Sequence, residues 1–334
     1  MSGFKAVVLA GGNGERFWPL STPERPKQFL RIFGGDSLIR QSVSRLGDMV
    51  SASDVYAITS KDLVSATRHE LPDLPAANII GEPMRRDTGA AVALGVAAAG
   101  ADDDTVIGFF PSDQMVSKPA KFRSVLKRAI SLAKRKECIV TIGISPTYPA
   151  ECFGYVNAKS GRFVEKPDVE TAKKYLADGY LWNAGMFIAR ASVFRKAFAE
   201  YAPSLLKLAS GSLSNSVLAR RYRSMERISF DYAVMEPLSH SQGSVCVAVV
   251  SGDFGWDDVG SFSAFDKHFP HDSSGNVREG PCTVVDSEGN ICVARSARIS
   301  LLGVKNLVVI TTPDAVLVAD KSHLLDMKRL FKGN

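Results

Sequence analysis

Residues 4–20 have the sequence FKAVVLAGGNGERFWPL, in which an apolar run leads directly into a glycine-rich loop. The run at residues 4–9 is typical of a buried strand, and the glycines let backbone N–H groups approach and bind phosphate oxygens. Arg16 and, further along the chain, Lys27 add the positive charge that a polyphosphate needs. The stretch therefore predicts a nucleotide-phosphate site, with candidate binding residues Leu9, Gly11, Gly12 and Gly14.

This loop differs from two common phosphate-binding motifs. No Gly-Lys-Ser/Thr follows, which excludes a Walker A loop, and Phe17 occupies the third glycine position of the dinucleotide fingerprint. A dinucleotide-dependent oxidoreductase is therefore a poor alternative. From the residues alone, the glycines are also compatible with a simple turn that reverses the chain and binds no phosphate.

The composition is typical of a globular protein of about two domains. The chain has 334 residues, of which 45% are hydrophobic and 23% charged, and this excludes a disordered chain. Its net charge of +6 is spread along the sequence, which favours small polyanionic substrates over nucleic acid. The five cysteines show no C-x-x-C pair, and we find no signal peptide and no membrane-length apolar run. We expect a cytoplasmic protein with reduced thiols and with neither membrane nor nucleic-acid partners.

The first half of the chain alternates apolar runs with helical periodicity. Further strands are predicted at 55–59, 79–80, 105–110 and 138–144, and helices at 38–46, at 88–101 and from Pro119 onward. This alternation predicts an α/β fold with a doubly wound, mostly parallel (Rossmann-like) sheet. After about residue 280, short β runs between turns predict a small β-rich C-terminal domain that ends in a helix. We expect a catalytic domain at 1–265 and the small domain at 280–334.

Polar residues follow two of the predicted strands at their carboxyl ends. Glu82 falls in the loop after the third strand, and Ser112 and Asp113 follow the fourth. Ligands of open α/β sheets bind at such ends, so we expect these residues to meet the glycine-rich loop at one crevice. An aspartate there suits Mg²⁺, which prefers one or two carboxylates plus substrate phosphates, and Asp258 supplies a second carboxylate. Asp113 by itself is equally compatible with a turn or a helix cap.

The second half of the chain carries residues that could bind a sugar phosphate. Glu165 and Asn183 are suited to sugar hydroxyls, and Lys166 could neutralise a phosphate. Taken singly, each is more typical of a strand end or a turn. Asp231 is interpreted as a helix N-cap ahead of any ligand role. The pair His268-x-x-His271 lacks a matching ligand pair for zinc, so we expect it in a surface loop.

Seven segments resemble, in order, the motifs of the mannose-1-phosphate guanylyltransferases, a branch of the sugar-nucleotidyltransferase superfamily. The segments are LAGGNGERFWPLSTPERPKQFL, GEPMRRDTGAA, PSDQ, FVEKPD, WNAGMF, DYAVME and GWDDVGSF, and the tail GVKNLVVITTPDAVLVADK is also similar to bacterial members. The resemblance implies transfer of GMP from GTP to mannose 1-phosphate, giving GDP-mannose and pyrophosphate. Three positions depart from the family pattern: Asp87 replaces Asn, Gln114 replaces His, and Phe262 replaces Trp.

On this hypothesis each candidate residue has a role. Mg²⁺ held by Asp113 and Asp258 would bridge the α-phosphate and the sugar phosphate, and Arg16 and Lys27 would hold the β- and γ-phosphates. The remaining contacts are Lys166 to the sugar phosphate, Glu165, Asn183 and the Gly154 backbone to mannose, and Glu82 to the base or ribose. The family also implies a homodimer.

Two alternatives stay open. The first is a sister enzyme that uses glucose 1-phosphate with dTTP, UTP or ATP. The second is a non-catalytic regulatory paralogue that binds GDP-mannose.

Overall fold

The computed structural model describes residues 3–12, 14–211 and 213–331, so Asn13 of the glycine-rich loop lies outside the described residues. The chain packs into two compact units. Unit 1 comprises residues 1–11 and 39–256, and unit 2 comprises residues 12–38 and 257–334. In this division most of the glycine-rich segment and residues 257–265 group with the tail. The predicted domains, 1–265 and 280–334, stay a prediction.

Unit 1 is built around one large sheet. In the described parts of the chain its main strands lie in the order β10-β6-β9-β4-β1-β2-β3, with β7 and β8 attached beside β9. The strands are β1 (Phe4–Ala10), β2 (Val55–Ser60), β3 (Ile79–Glu82), β4 (Val106–Pro111), β5 (Met115–Val116), β6 (Cys138–Ile144), β7 (Tyr155–Val156), β8 (Phe163–Val164), β9 (Leu181–Arg190) and β10 (Cys246–Ser251). β5 lies outside this sheet.

Most pairs of neighbouring main strands are parallel, as predicted. The pairs β1/β2, β1/β4, β2/β3 and β6/β10 are parallel. The strand β9 differs, because it runs antiparallel to both β4 and β6. The hairpin of β7 and β8 precedes it, and β7 also pairs antiparallel with β9. Alternation of strands and helices along a sequence does not report strand direction, so this reversal was not predicted.

Helices cover both faces of this sheet. They are α1 (Leu38–Ser44), which begins at the division between the units, α2 (Val64–Glu70), α3 (Asp87–Ala99), α4 (Pro119–Arg135), α5 (Val169–Ala177), α6 (Ala191–Tyr201), α7 (Pro203–Ala209), α8 (Asn215–Arg223) and α9 (Glu236–His240), with a π-helical turn at Asp231–Met235. Phe109 packs on Phe194 of α6, and the next residue, Phe110, packs on Phe122 of α4. Successive strand residues point to opposite faces, so α6 and α4 lie on opposite sides of the sheet.

The helix predicted from Pro119 is confirmed in detail. Its apolar positions are all buried: Phe122, Val125, Leu126, Ala129, Ile130 and Ala133. The third strand is longer than predicted and ends at Glu82, which places that residue in the strand and not in the following loop. The Ala-rich helix α3 is largely buried, as its composition indicates.

Unit 2 carries short strands in the tail, as predicted. Its elements are β11 (Trp256–Asp257), which lies at the division, α10 (Ser263–His268), β12 (Val277–Glu279), β13 (Cys282–Val285), β14 (Ile291–Ala294), β15 (Ile299–Leu302), β16 (Leu307–Thr311) and β17 (Val316–Asp320), with 3₁₀ helices at Glu15–Phe17, Lys27–Phe29 and Lys321–Phe331. β12, β14 and β16 stack in parallel, and β17 closes the row antiparallel. The predicted terminal helix is therefore a 3₁₀ helix.

Candidate active site

The carboxyl ends of three strands in unit 1 bring predicted nucleotide-binding residues together. The backbone N–H of Ser112, just after β4, donates to the carbonyl of Leu9 in β1 at 3.1 Å. A Cβ built on Gly11 would lie 3.8 Å from Glu82 Oε2 at the end of β3. The ends of β1, β3 and β4 thus lie close to one another, as expected for strand ends that border a ligand site.

Glu82 is a buried carboxyl at this edge. Its residue is 8% exposed, and the Tyr222 hydroxyl donates to Glu82 Oε1 at 3.1 Å. Burial raises the pKa of Glu82 to about 7, and the nearby Asp87 carboxylate adds to the increase. Buried carboxyl groups whose pKa lies near neutrality are common in functional sites.

The predicted sugar-phosphate residues also lie together in unit 1. Asn183 on β9 donates its backbone N–H to the Gly154 carbonyl at 2.8 Å, and the Lys166 ammonium bonds Glu165 Oε1. The second Glu165 oxygen lies against the open face of Gly154, where a Cβ would clash with it. Gly154, Glu165, Lys166 and Asn183 therefore form one cluster, which combines carboxylate, ammonium and amide groups.

The side chain of Asn183 already makes most of its hydrogen bonds to neighbouring protein groups. Its Oδ1 accepts from the Thr141 hydroxyl at 2.8 Å and from the Gly185 N–H at 3.0 Å. Its Nδ2 donates to Asp231 Oδ1 at 3.0 Å. A carbonyl oxygen has two acceptor sites, so the Asn183 oxygen is filled, and the amide serves to orient Asp231.

Asp231 is not the N-cap that its sequence context suggested. It is the first residue of the π-helical turn, and the Tyr232 N–H is accepted by Ser229 Oγ at 3.2 Å instead. Burial and the neighbouring Glu165 carboxylate raise the pKa of Asp231. The sequence interpretation missed this residue, although one signal was present: a single carboxylate among the apolar residues Phe230, Ala233, Val234 and Met235.

A second cluster of predicted residues lies in unit 2. Gly14 has φ +61°, and a Cβ on it would lie 2.5 Å from the Lys27 backbone nitrogen and 2.6 Å from Lys27 Cβ. Lys27 is buried, and its ammonium donates to the Asp258 carbonyl at 2.8 Å. Only glycine permits this turn and this close approach, which brings the glycine-rich loop next to Lys27 and Lys27 next to Asp258.

Arg16 lies in the same cluster. A Cβ built on Gly260 would be 3.9 Å from Arg16 Nη1 and 3.5 Å from Asp258 Oδ2, so both side chains border Gly260. Unit 2 thus groups two cations and one carboxylate around the glycine-rich segment. Asp113, the other predicted metal ligand, is a half-buried residue of unit 1.

Metal-binding side chains are not clustered in the described parts of the chain. Within residues 3–12, 14–211 and 213–331, no group of three or more His, Cys, Asp or Glu side chains could hold a metal ion. Mg²⁺ is usually bound by one or two carboxylates plus substrate phosphates, whereas zinc needs three or four protein ligands. His268, predicted in a surface loop, instead ends α10, where it packs on Phe33 and lies 3.3 Å from Asp257.

The three departures from the family pattern have different surroundings. Asp87 begins α3 and accepts the Thr88 N–H at 2.7 Å. Gln114 is buried, where it donates to the Ala184 carbonyl at 2.8 Å and accepts from Trp256 Nε1 at 3.0 Å. Phe262 is buried in unit 2 against Phe17, with ring centroids 5.1 Å apart. Of the three, Asp87 acts on a candidate site residue through its effect on Glu82.

None of the described helices has both the length and the apolar character needed to span a bilayer.

Comparison with known proteins identifies the family of this chain. Residues 5–274 match the nucleotidyl transferase family, and residues 280–332 match the mannoseP isomerase/GMP-like beta-helix domain. A mannose-1-phosphate guanylyltransferase of Escherichia coli is 33% identical over 97% of this chain and 72% of its own length. The alginate biosynthesis protein AlgA of Pseudomonas aeruginosa is 32% identical over 98% of this chain and 71% of its own.

A solved structure extends the comparison. The Thermus thermophilus protein described as a mannose-1-phosphate geranyltransferase has a TM-score of 0.87 and 32% identity, covering 99% of this chain and 98% of its own. The family match extends over most of the sequence, and the similarity to these three proteins covers 97–99% of this chain. The chain therefore belongs to the nucleotidyl transferase family, in its mannose-1-phosphate guanylyltransferase branch.

Proposed function

We propose that this protein transfers GMP from GTP to mannose 1-phosphate, giving GDP-mannose and pyrophosphate. The observation that carries the proposal is the cluster of Glu165, Lys166, Asn183 and Asp231, which joins hydroxyl-binding groups to an ammonium for a phosphate. Membership in the guanylyltransferase branch supports the same substrates. We further propose a cytoplasmic location, and we expect neither nucleic-acid nor membrane partners.

The reaction needs positioning and charge stabilisation more than proton transfer. The attacking group is a phosphate oxygen of mannose 1-phosphate, which is ionised at neutral pH, so no general base is required. The obstacle is the repulsion between two polyanions and the charge that develops on the leaving pyrophosphate. Preorganised cations and N–H donors lower such a barrier most effectively.

The residues around the glycine-rich loop are proposed to hold GTP. The backbone amides of Gly11, Gly12 and Gly14 would bind phosphate oxygens, and Arg16 and Lys27 would hold the β- and γ-phosphates. The contact from Lys27 to the Asp258 carbonyl would keep its ammonium beside the loop.

Three residues at the strand ends are proposed to border the nucleoside. Leu9 and Ser112, which are joined by a backbone hydrogen bond, would line it. The ionised Glu82 carboxylate could accept from the two adjacent N–H donors of a guanine edge. Because Glu82 titrates near neutrality, base binding would favour its charged form.

The sugar-phosphate cluster is proposed to bind mannose 1-phosphate. Lys166 would hold the phosphate in line, while Glu165 and the Gly154 backbone orient the hydroxyls. Asn183 would act mainly through Asp231, because its own oxygen already accepts two hydrogen bonds. Asp231 would then be a further hydroxyl acceptor in this cluster.

Asp113 and Asp258 are proposed to hold Mg²⁺ together with substrate phosphates, since their hard oxygen donors suit this ion. When bound, Mg²⁺ would neutralise charge on the α-phosphate and on the sugar phosphate.

A substrate matrix tests the proposal. Each nucleoside triphosphate is combined with mannose 1-phosphate or glucose 1-phosphate, with Mg²⁺ or with EDTA, and pyrophosphate release is measured. We expect turnover with GTP and mannose 1-phosphate only when Mg²⁺ is present. Arg16→Ala and Asp258→Ala should each lose about 10²–10³ in turnover while they remain folded. Near-normal turnover of either variant would refute its assignment, and GDP-mannose binding without turnover would favour the regulatory paralogue.

We also propose that the protein forms a homodimer through its tail. Unit 2 exposes several large apolar side chains, among them Leu302 at 72%, Leu325 at 75%, and Val316 and Val318 at 63% each. Val316 and Val318 alternate along β17 and so share one exposed face of that strand, and exposed apolar faces often mark protein interfaces. Light scattering coupled to gel filtration would show a mass of twice 36.0 kDa, and Val318→Glu should shift it to the monomer. A monomeric wild type would refute the proposal.

A further inference from the structure

Arg45 follows α1 and is a buried arginine of unit 1. Its residue is 5% exposed. The guanidinium donates to the Gln114 carbonyl at 2.9 Å, to the Pro111 carbonyl at 3.1 Å and to Ser42 Oγ at 3.1 Å. Ser42 Oγ donates in turn to the Pro111 carbonyl at 3.2 Å. The guanidinium thus spans two backbone carbonyls that are three residues apart.

The acceptors of Arg45 make it an unusual core residue. All three are neutral oxygens, and the Phe122 ring lies 5.5 Å from the guanidinium carbon. Burial lowers the pKa of Arg45 to about 10, with the Asp113 carboxylate offsetting part of the effect, so the group stays charged at neutral pH. A buried charge on neutral acceptors is costly, which points to a role other than stability alone.

The two carbonyls belong to the turn at residues 111–114, which begins at the last residue of β4 and carries Asp113. Ser112 within this turn is tied to Leu9 of β1, and the Gln114 side chain is tied to Ala184 and Trp256. The Arg45 guanidinium donates hydrogen bonds to the carbonyls of the first and last residues of the turn and so links its two ends. The turn is therefore fixed at each end, with the half-buried Asp113 between buried neighbours.

We propose that Arg45 is a positioning residue that holds the 111–114 turn so that Asp113 presents its carboxylate to a divalent cation. This inference rests on the metal assignment made under the proposed function. Arg45 acts through the backbone and through its positive charge, and it does not touch the substrates. Lysine cannot replace it, because an ammonium lacks the planar fork that reaches both carbonyls at once. Such supporting residues commonly set metal affinity.

Direct binding of Mn²⁺, measured by electron paramagnetic resonance at saturating GDP-mannose, tests the inference without turnover, because no pyrophosphate is present. We expect Arg45→Lys to raise the Mn²⁺ Kd by about 10- to 100-fold. Ser42→Ala, which retains Arg45 but removes a hydroxyl bonded to the Pro111 carbonyl, should raise it less. The matched control is Arg40→Lys on α1, whose guanidinium bonds the Glu70 carbonyl at 3.2 Å, and it should bind Mn²⁺ like the wild type.

The combination with Asp113→Asn separates positioning from a structural role. If Arg45 acts through Asp113, Arg45→Lys adds no further loss of Mn²⁺ affinity in the Asp113→Asn background. A folded Arg45→Lys protein with wild-type Mn²⁺ affinity would overturn this inference alone. If Arg45→Lys does not fold, Ser42→Ala decides, and an unchanged Kd there overturns the inference. Unchanged Mn²⁺ binding by Asp113→Asn would overturn the metal assignment and the Arg45 inference together.

Discussion

Replacing Gly154 by alanine tests the sugar-phosphate cluster with a single methyl group. A Cβ on Gly154 would lie 3.1 Å from the Phe163 ring, and its distance to Glu165 Oε2 would be much shorter than the 3.4 Å at which ordinary van der Waals contact begins. Gly154 is not among the glycines with positive φ, so the conflict is steric. The Glu165 carboxylate is the flexible end of a side chain, and it would have to withdraw by roughly 1 Å. A displacement of that size in a substrate-positioning group costs about 10²-fold in rate.

Steady-state kinetics would measure this effect. We expect kcat/KM for mannose 1-phosphate to fall about 10²-fold, while KM for GTP is unchanged. Overpacking should lower the free energy of unfolding by about 1–3 kcal/mol, which thermal melts would detect. The matched control is Gly35→Ala, where an added Cβ meets nothing within 4 Å. A higher KM for GTP, or no loss of kcat/KM for mannose 1-phosphate, would refute the assignment of this cluster.

Three further predictions follow from the same geometry. Gly14→Ala should lower the free energy of unfolding in denaturant melts, because φ is +61° and the Lys27 backbone nitrogen lies 2.5 Å from the new Cβ. It should also raise KM for GTP more than KM for mannose 1-phosphate. Wild-type stability and kinetics of this variant would contradict the prediction. The pKa of Glu82 is about 7 in the folded protein and 4.5 in the unfolded chain, so the folded state binds this proton more tightly. Its contribution to the free energy of unfolding is therefore fully present below pH 4.5 and is lost as the pH rises to 7. Urea melts should therefore show wild type losing about 3 kcal/mol relative to Glu82→Gln across that range, and parallel pH profiles would exclude the shift. Asp231→Asn should raise KM for mannose 1-phosphate at pH 8 by about tenfold, as expected for losing one charged hydrogen bond, and an equal rise for GTP would argue against a sugar contact.

Local sequence patterns were sufficient to predict several helices and strands of the fold. The amphipathic helix α4 and the strand β6 agree with the sequence predictions. Both features depend on residues a few positions apart, where hydrophobic periodicity operates. Gly154, Glu165 and Lys166 lie close together because they flank the short hairpin of β7 and β8.

The sequence by itself determined the α/β class and the branch of the family, and it supplied the candidate site residues, whose roles stay predictions. Only the tertiary structure decided the reversed direction of β9, the orientation of Asp231 by Asn183 and the closure of the 111–114 turn by Arg45. The last two contacts join residues 48 and 66–69 positions apart. Such contacts arise when the sheet brings distant segments together, and no periodicity or local propensity encodes which buried polar groups then meet.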